Sequence, residues 1–188
     1  MPILEVCDLH KSYGNLAAVA GVSFSIEGGE VFGLLGPNGA GKSTTINIIA
    51  TLLAADRGSI SLDGASIANP YLYKRKIGYV PQEISLSGKL TARENLRLFG
   101  RLYDLSGTTL RDRVEQNLTA VGLADRANDR VEVFSGGMKR RLNIAAALLH
   151  EPRLLLMDEP TAGVDPQARA YIFEIVERLA DRGCAVLY

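Results

Sequence analysis

The sequence lacks a surplus of charge of either sign, and this limits the partners that it can attract. Its 188 residues include 21 Lys and Arg and 21 Asp and Glu, so the formal net charge is zero. A protein that binds nucleic acid or an anionic membrane normally carries a basic surplus. We therefore expect no nucleic-acid partner, while noting that a local basic patch is compatible with a neutral chain.

Cysteine and long apolar segments are also scarce. Cys7 and Cys184 form no CxxC pattern, so we interpret both as reduced, buried thiols of a reducing compartment rather than as metal ligands. The longest uninterrupted apolar run covers only 144–149, whereas a membrane-spanning helix needs about 20 residues. The first residues, MPILEVCD, lack the basic start of a signal peptide. We expect neither a leader nor a membrane span.

Neighbouring segments near the start of the chain predict an α/β fold. Residues 30–35 are apolar on both faces of an extended chain, which is typical of a central parallel strand. A glycine-rich loop follows at 36–41, and beyond it apolar residues keep helical spacing as far as Leu53. Strand, glycine loop and helix in this order open an α/β unit, so we expect a mainly parallel sheet.

A helical insert interrupts this pattern at 90–132. Thr91 and Glu94 have the spacing of a capping box, and apolar residues then recur on helical faces. We treat the chain as one domain in three parts. A β part and phosphate-loop core occupies 1–89, the helical subdomain follows, and 133–188 carries a glycine-headed helix, an acidic strand and the remaining core.

The glycine-rich loop matches the pattern GxxxxGK[ST] in full. Its glycines let backbone N–H groups converge on an anion, and the helix behind adds the positive end of its dipole. Lys42 is placed for the β- and γ-phosphates and Ser43 for Mg²⁺. The alternative is a plain glycine turn that carries Lys and Ser by coincidence. We favour a site for a nucleoside triphosphate, which includes Gly36, Pro37, Asn38, Gly39, Ala40, Gly41, Lys42, Ser43 and Thr44.

Two acidic residues follow a second apolar strand. Leu154–Met157 is a buried strand in this interpretation, and ligands of open α/β sheets lie at the carboxyl ends of such strands. Asp158 can hold Mg²⁺, and Glu159 can orient or deprotonate an attacking water. The alternative is a solvated acidic turn before Pro160. The intact phosphate loop favours the functional interpretation.

A third feature is a helix that begins with serine and two glycines. Ser135 is a good N-cap, and Gly136 and Gly137 expose the N–H groups of the first turn, which builds a second anion site. An ordinary cap with glycines for close packing explains the segment equally well. The basic triplet at 139–141 is interpreted as a solvated helix face in preference to a nucleic-acid site.

These three features, in this order and spacing, resemble the nucleotide-binding domain of ABC (ATP-binding cassette) ATPases over essentially the whole chain. The family motif LSGGQ has Phe134 and Met138 at its first and last positions here. Met138 with the basic triplet resembles the drug- and polymer-export branch. The resemblance implies an α/β fold with a P-loop NTPase core, a mainly parallel sheet, an N-terminal antiparallel β part and an inserted α-helical subdomain.

The resemblance also implies ATP hydrolysis in a head-to-tail dimer. Each ATP would lie between the phosphate loop of one subunit and the Ser135–Gly137 turn of the other. Gln82 is similar to the family's glutamine that meets Mg²⁺ and the attacking water, and Glu159 to its catalytic base. Residues 162–165 stand where the family has a dimer-contact loop. Tyr13 is similar to the aromatic residue that stacks on adenine, although a plain strand-end tyrosine is an alternative.

The predicted roles can be stated together. The expected cofactors are ATP and Mg²⁺. The predicted catalytic residues are Lys42, Gln82 and Glu159, and the predicted Mg²⁺ ligands are Ser43, Gln82 and Asp158.

The implied partners are a second copy or a paralogous ABC subunit, and integral membrane permease subunits. The domain would then lie in the cytoplasm at the inner face of the membrane and drive export of drugs, lipids or polysaccharides. A soluble ABC ATPase that acts on nucleic acid, ribosomes or Fe–S assembly is one alternative. Another is an ATP-binding module with little hydrolysis, because the family's γ-phosphate histidine is not met before Tyr188 and a truncated cassette is expected. His10 and His150 are interpreted as structural.

Overall fold

The computed structural model describes residues 2–160 and 164–188, which fall into two units. The first unit holds the chain up to Tyr79 together with 153–158 and 179–188. The second unit holds 80–152 and 159–178. Within the described ranges, no helix combines the length and the apolar character needed to cross a membrane.

Two four-stranded sheets form the framework of the first unit. The strands are β1 (Leu4–Tyr13), β2 (Leu16–Ile26), β3 (Val31–Phe32), β4 (Arg57–Leu62), β5 (Ala65–Ser66), β6 (Ile77–Val80), β7 (Leu154–Met157) and β8 (Ala185–Leu187). The first sheet is antiparallel with the order β2-β1-β4-β5. The second has the order β3-β8-β7-β6, and both β3 and β7 run parallel to β8. The predicted α/β class, with an antiparallel N-terminal part, is confirmed.

The predicted strand at 30–35 is parallel, as expected, but its predicted central position in the sheet is wrong. Its regular part is only β3, which lies at the edge of its sheet and pairs with β8. The central positions belong to β7 and β8, whose residues are all buried. Val31 in β3 is 40% exposed, and Leu35, which lies beyond β3, is 93% exposed, although both side chains are apolar.

The helices divide between the units. The first unit contains α1 (Lys42–Ile49) and α2 (Pro70–Lys74), and the second contains α3 (Ala92–Leu102), α4 (Gly107–Ala120), α5 (Gly136–Leu148) and α6 (Pro166–Asp181) as far as Arg178. Two short 3₁₀ turns lie at 124–126 and 131–133. The capping box of Thr91 and Glu94 is confirmed, since each side chain accepts a backbone N–H of the other residue.

Helix α1 ends four residues before the predicted Leu53. Thr51 adopts the left-handed conformation at φ +61°, and its N–H donates to Ile48 O at 2.9 Å. The Leu52 N–H reaches back to Asn47 O, also at 2.9 Å. This pair of bonds is the Schellman ending of a helix, in which glycine is usual at the left-handed position. Because threonine occupies this position, the sequence has no glycine to mark the end of α1.

The segment that follows Gln82 is anchored by a buried amide. Asn95 is fully buried in α3, and its Nδ2 donates to Ser87 O and Thr91 O, both at 3.0 Å. Its Oδ1 accepts the Ser87 N–H at 2.9 Å. Asn95 therefore ties the second half of the loop between β6 and α3 to α3.

The two cysteines are free, as expected, but their environments differ from the prediction. Cys7 is exposed on β1, so the interpretation as a buried thiol is wrong for this residue. Cys184 is partly buried before β8, and desolvation raises the pKa of its thiol to about 11. The Cys184 thiol is therefore protonated at neutral pH, which makes it a poor nucleophile.

Candidate nucleotide site

The phosphate loop of the first unit is exposed and leads into a helix start that has free backbone donors. Residues 36–40 are all exposed, and Gly39 and Gly41 have φ of +85° and +84°. Thr45 N donates to Gly41 O at 2.8 Å, which is the first bond of the helix ladder. The N–H groups of residues 42–44 therefore have no carbonyl within the helix and are open to an anion at its positive end.

Gly41 is required by a close approach as well as by its conformation. A Cβ added there would lie 2.2 Å from the carbonyl oxygen of Ala18 in β2. At Gly39, which has the same backbone conformation, an added Cβ would meet nothing within 4 Å. The start of α1 therefore packs directly against β2, and this contact fixes the position of the N–H groups that follow the loop.

Lys42 is folded back over the loop that precedes it. Its Nζ donates to Gly36 O at 2.8 Å and to Pro37 O at 3.0 Å. Both acceptors are neutral carbonyls, so a phosphate oxygen in the same position would bind the ammonium group more strongly. The lysine is therefore already placed over the loop before any ligand arrives.

The loop and the acidic strand end meet at Ser43 and Asp158. Ser43 Oγ donates to Asp158 Oδ1 at 3.1 Å, and Asp158 is only 9% exposed. Two oxygen ligands of an octahedral Mg²⁺, each held at about 2.1 Å, lie about 3 Å apart. This donor pair fits Mg²⁺, which typically takes one or two carboxylates and otherwise phosphate and water oxygens. Ser43 and Asp158 are therefore the residues that would hold the ion.

The negative charge of Asp158 also affects the hydroxyl of Tyr79. Burial raises the pKa of the Tyr79 hydroxyl, and the Asp158 carboxylate raises it further. The hydroxyl donates to Asn47 Oδ1 at 3.3 Å, so Tyr79 is tied to α1. A neutral hydrogen-bonded phenol therefore lies near the carboxylate and holds α1 close to the end of β6.

In the second unit, the structure brings Gln82 and Glu159 together. Gln82 Nε2 donates to Glu159 Oε2 at 3.2 Å, and both side chains are exposed. Glu159 has φ +47°, a left-handed conformation that is uncommon for a residue other than glycine. Backbone strain of this kind persists where the surrounding structure holds it, often at functional sites.

Arg140 was interpreted as part of a solvated basic face, and this is wrong. It is 3% exposed, with Nη1 donating to Pro81 O at 2.5 Å and Nη2 to Glu159 O at 2.9 Å. Arg141 is also engaged, since its Nη1 donates to Val121 O and its guanidinium lies 4.6 Å from the Tyr171 ring centroid. The missed signal is helical spacing, because Arg140 shares a buried face with Gly137 and Ile144.

The serine–glycine turn of α5 shows the cap and the close packing that the sequence offered as the alternative to an anion site. Ser135 Oγ accepts the Met138 N–H at 3.2 Å and so caps its own helix. A Cβ at Gly137 would lie 2.6 Å from Ala168 Cβ in α6, so this glycine serves close packing. Gly136 is exposed, and a Cβ there would meet nothing within 4 Å. The outer part of the turn remains accessible to an anion.

Two further predicted sites have a simpler description. Tyr13 is 52% exposed and pairs with Leu16 at the end of the β1–β2 hairpin, so its stacking on adenine stays a prediction. Of the predicted dimer-contact loop at 162–165, residues 162 and 163 lie outside the described residues. Asp165 Oδ1 accepts the Ala168 N–H at 2.9 Å and caps α6.

The loop, the buried strand and Asp158 define a P-loop nucleotide-binding domain. Over residues 19–162 the chain matches the family described as "ABC transporter". The chain therefore belongs to the ABC transporter family, and the predicted resemblance to its ATP-binding domain is confirmed.

Two curated relatives give the family more detail. The chain is 51% identical over 187 residues to the linearmycin resistance ATP-binding protein LnrL of Bacillus subtilis, which covers 99% of this chain and 60% of LnrL. It is 42% identical over 187 residues to the Nod factor export ATP-binding protein I of Ralstonia nicotianae, covering 99% of this chain and 58% of that protein. The chain thus spans about three fifths of the length of these relatives.

Two solved structures that resemble this chain are also described as parts of ABC transporters. One described as the ATP-binding subunit of an ABC transporter is 37% identical with a TM-score of 0.85, covering 98% of this chain and 78% of that one. Another, cbiO1 from Clostridium perfringens, described as part of the ABC transporter complex cbiONQ, is 28% identical with a TM-score of 0.89 and covers 99% and 77%.

The close approach at Gly41 leads to a stability prediction. Gly39→Ala requires only a left-handed alanine, which costs about 1 kcal/mol. Gly41→Ala has the same conformational cost and in addition forces the loop away from Ala18 O, so we expect a total loss of about 3 kcal/mol. Urea unfolding of the nucleotide-free protein measures both. Equal losses for the two variants would show that the contact between α1 and β2 is not fixed by this glycine.

Proposed function

We propose that the chain binds and hydrolyses ATP, and that it does so as the energising subunit of a membrane exporter. The observation that carries the proposal is the contact of Ser43 with Asp158 at the start of α1, where the N–H groups of residues 42–44 have no carbonyl partner within the helix. A plain glycine turn has no need of a carboxylate at this point. A nucleotide site does, because the Mg²⁺ that accompanies ATP requires oxygen ligands.

The residues of the first unit account for binding. The N–H groups of residues 42–44 and the ammonium group of Lys42 hold the β- and γ-phosphates, and Ser43 and Asp158 hold Mg²⁺. Mg²⁺, when bound, would supply positive charge that offsets the negative charge of the phosphates. Gln82 is proposed as a further Mg²⁺ ligand, and Tyr13 as the adenine contact, on the family resemblance.

The pair in the second unit accounts for hydrolysis. Glu159 accepts the proton of the attacking water. The Gln82 amide donates to the Glu159 carboxylate and orients the carboxylate and the water. General-base catalysis of this kind contributes about 10²–10⁴-fold to the rate. The exposure of both side chains leaves the carboxylate accessible to a water molecule.

The dimer and the membrane partner complete the proposal. The exposed Gly136 turn of one subunit would receive the γ-phosphate of the ATP held on the phosphate loop of a second copy or a paralogous subunit. Integral membrane permease subunits would convert this closure into transport at the inner face of the membrane. Export is favoured because one relative is named for Nod factor export and the other for linearmycin resistance.

Removal of the phosphate-loop ammonium group tests ATP binding. We expect Lys42→Ala to weaken ATP binding at least 100-fold, because the charge-assisted bonds to the β- and γ-phosphates are lost. Isothermal titration with ATP and Mg²⁺ measures the affinity. Lys74→Ala removes an exposed lysine of α2 in the same unit and should bind ATP like the wild type. Unchanged affinity of Lys42→Ala would refute the phosphate-loop site.

Loss of the proposed base should separate binding from hydrolysis. We expect Glu159→Gln to bind ATP normally, to hydrolyse it at least 100-fold more slowly and to accumulate as an ATP-bound dimer in analytical ultracentrifugation. Glu174→Gln makes the same change on the exposed face of α6 and serves as the control. A monomeric Glu159→Gln with ATP and Mg²⁺, or one that turns over normally, would count against the role of Glu159.

The trapped variant also tests the membrane partner. Glu159→Gln, used as bait in membranes of the source organism with ATP present, should recover a polytopic membrane protein. Lys42→Ala is the matched bait, because it should not form the ATP-bound state. Recovery of ribosomes, nucleic acid or a soluble Fe–S assembly protein in place of a membrane protein would contradict the transport proposal and favour a soluble ABC ATPase.

A further inference from the structure

Arg140 joins two separate segments of the second unit through one guanidinium group. Its two terminal nitrogens donate to Pro81 O at 2.5 Å and to Glu159 O at 2.9 Å. Pro81 directly precedes Gln82, and Glu159 is itself a member of the proposed pair. One buried side chain of α5 therefore holds the backbone on both sides of the Gln82–Glu159 contact.

These two segments need a fixed support because sheet pairing does not extend to them. Strand β6 ends at Val80 and strand β7 at Met157, so Pro81 and Glu159 lie beyond the ladders. Pro81 has no N–H to donate, and Glu159 has φ +47°, a conformation that costs energy for a residue with a Cβ. The bonds from Arg140 occupy both carbonyls at these positions.

The chemistry of arginine suits this bridge. The guanidinium is planar, and its donors have fixed relative directions, so it sets a distance and an angle between two acceptors. A lysine has one nitrogen on a flexible stem and cannot hold two carbonyls in the same way. Arg140 is 3% exposed, so water does not easily replace either bond.

We infer that Arg140 is a positioning residue that sets the separation of the Gln82 amide and the Glu159 carboxylate. It acts through the backbone carbonyls of Pro81 and Glu159 and not on the nucleotide. The inference rests on the proposed function for its effect on hydrolysis. Its geometric part, the support of the Gln82–Glu159 contact, concerns the protein without nucleotide and can be tested separately.

The first readout is the Gln82 side-chain amide in the NMR spectrum of the nucleotide-free protein. Gln82→Glu, which lacks the amide, assigns its signal. We expect Arg140→Met to move this signal towards that of a free glutamine, because the hydrogen bond to Glu159 is lost. Arg141→Met is the matched control, since Arg141 binds Val121 O and faces Tyr171 instead. It should lower the unfolding temperature and leave the Gln82 signal in place.

The second readout is the balance between ATP affinity and turnover. We expect Arg140→Met to bind ATP within about twofold of the wild type and to hydrolyse it at least 10-fold more slowly, as expected for misplaced catalytic groups. If Arg140→Met does not fold, Arg140→Lys decides, because lysine can keep one of the two carbonyl bonds and should give an intermediate shift.

The outcomes are distinguishable. A Gln82 signal that stays unchanged in the Arg140 variants, or that moves equally in Arg141→Met, overturns the inference. A wild-type chain that binds no ATP, or binds but does not hydrolyse it, overturns the corresponding part of the proposed function. In that case the Gln82 signal of the nucleotide-free variants still decides whether Arg140 positions the pair.

Discussion

The hydrogen bond between Ser43 and Asp158 is the interaction on which the nucleotide site depends. It requires α1 to begin where β7 ends, so that a hydroxyl of the helix meets the carboxylate that follows the strand. Gly41 makes this start of α1 feasible, since only a residue without a Cβ can lie against Ala18 O. This bond brings the end of β7, the phosphate loop and the N-terminus of α1 together at the point where Mg²⁺ would be held.

The neutral composition is explained by the same site. In the proposed site, phosphate binding relies on backbone N–H groups, a helix N-terminus and the single ammonium group of Lys42, none of which needs a basic surplus. Net charge therefore carried little information about phosphate binding. The glycine loop was the informative feature, because it predicts where the donors converge.

Local motifs were predictable from the sequence, and features set by distant contacts were not. The phosphate loop, the acidic strand end and the capping box each depend on residues within a few positions, and the structure contains all three. The edge position of β3 and the exposure of Cys7 depend on which strands cover them, which no local pattern records. The burial of Arg140 depends on carbonyls 59 and 19 positions away in the chain. The early end of α1 was not predicted because Thr51 occupies the left-handed position at which glycine usually marks the end of a helix.

The most direct test of the nucleotide site is the effect of Mg²⁺ on ATP affinity in the wild type and in Asp158→Asn. Isothermal titration with ATP, with and without Mg²⁺, gives this effect as a ratio of dissociation constants. If Asp158 and Ser43 hold the ion, Mg²⁺ tightens ATP binding by the wild type, and this gain is lost in Asp158→Asn while binding of metal-free ATP is retained. An equal Mg²⁺ effect in both proteins would contradict the account.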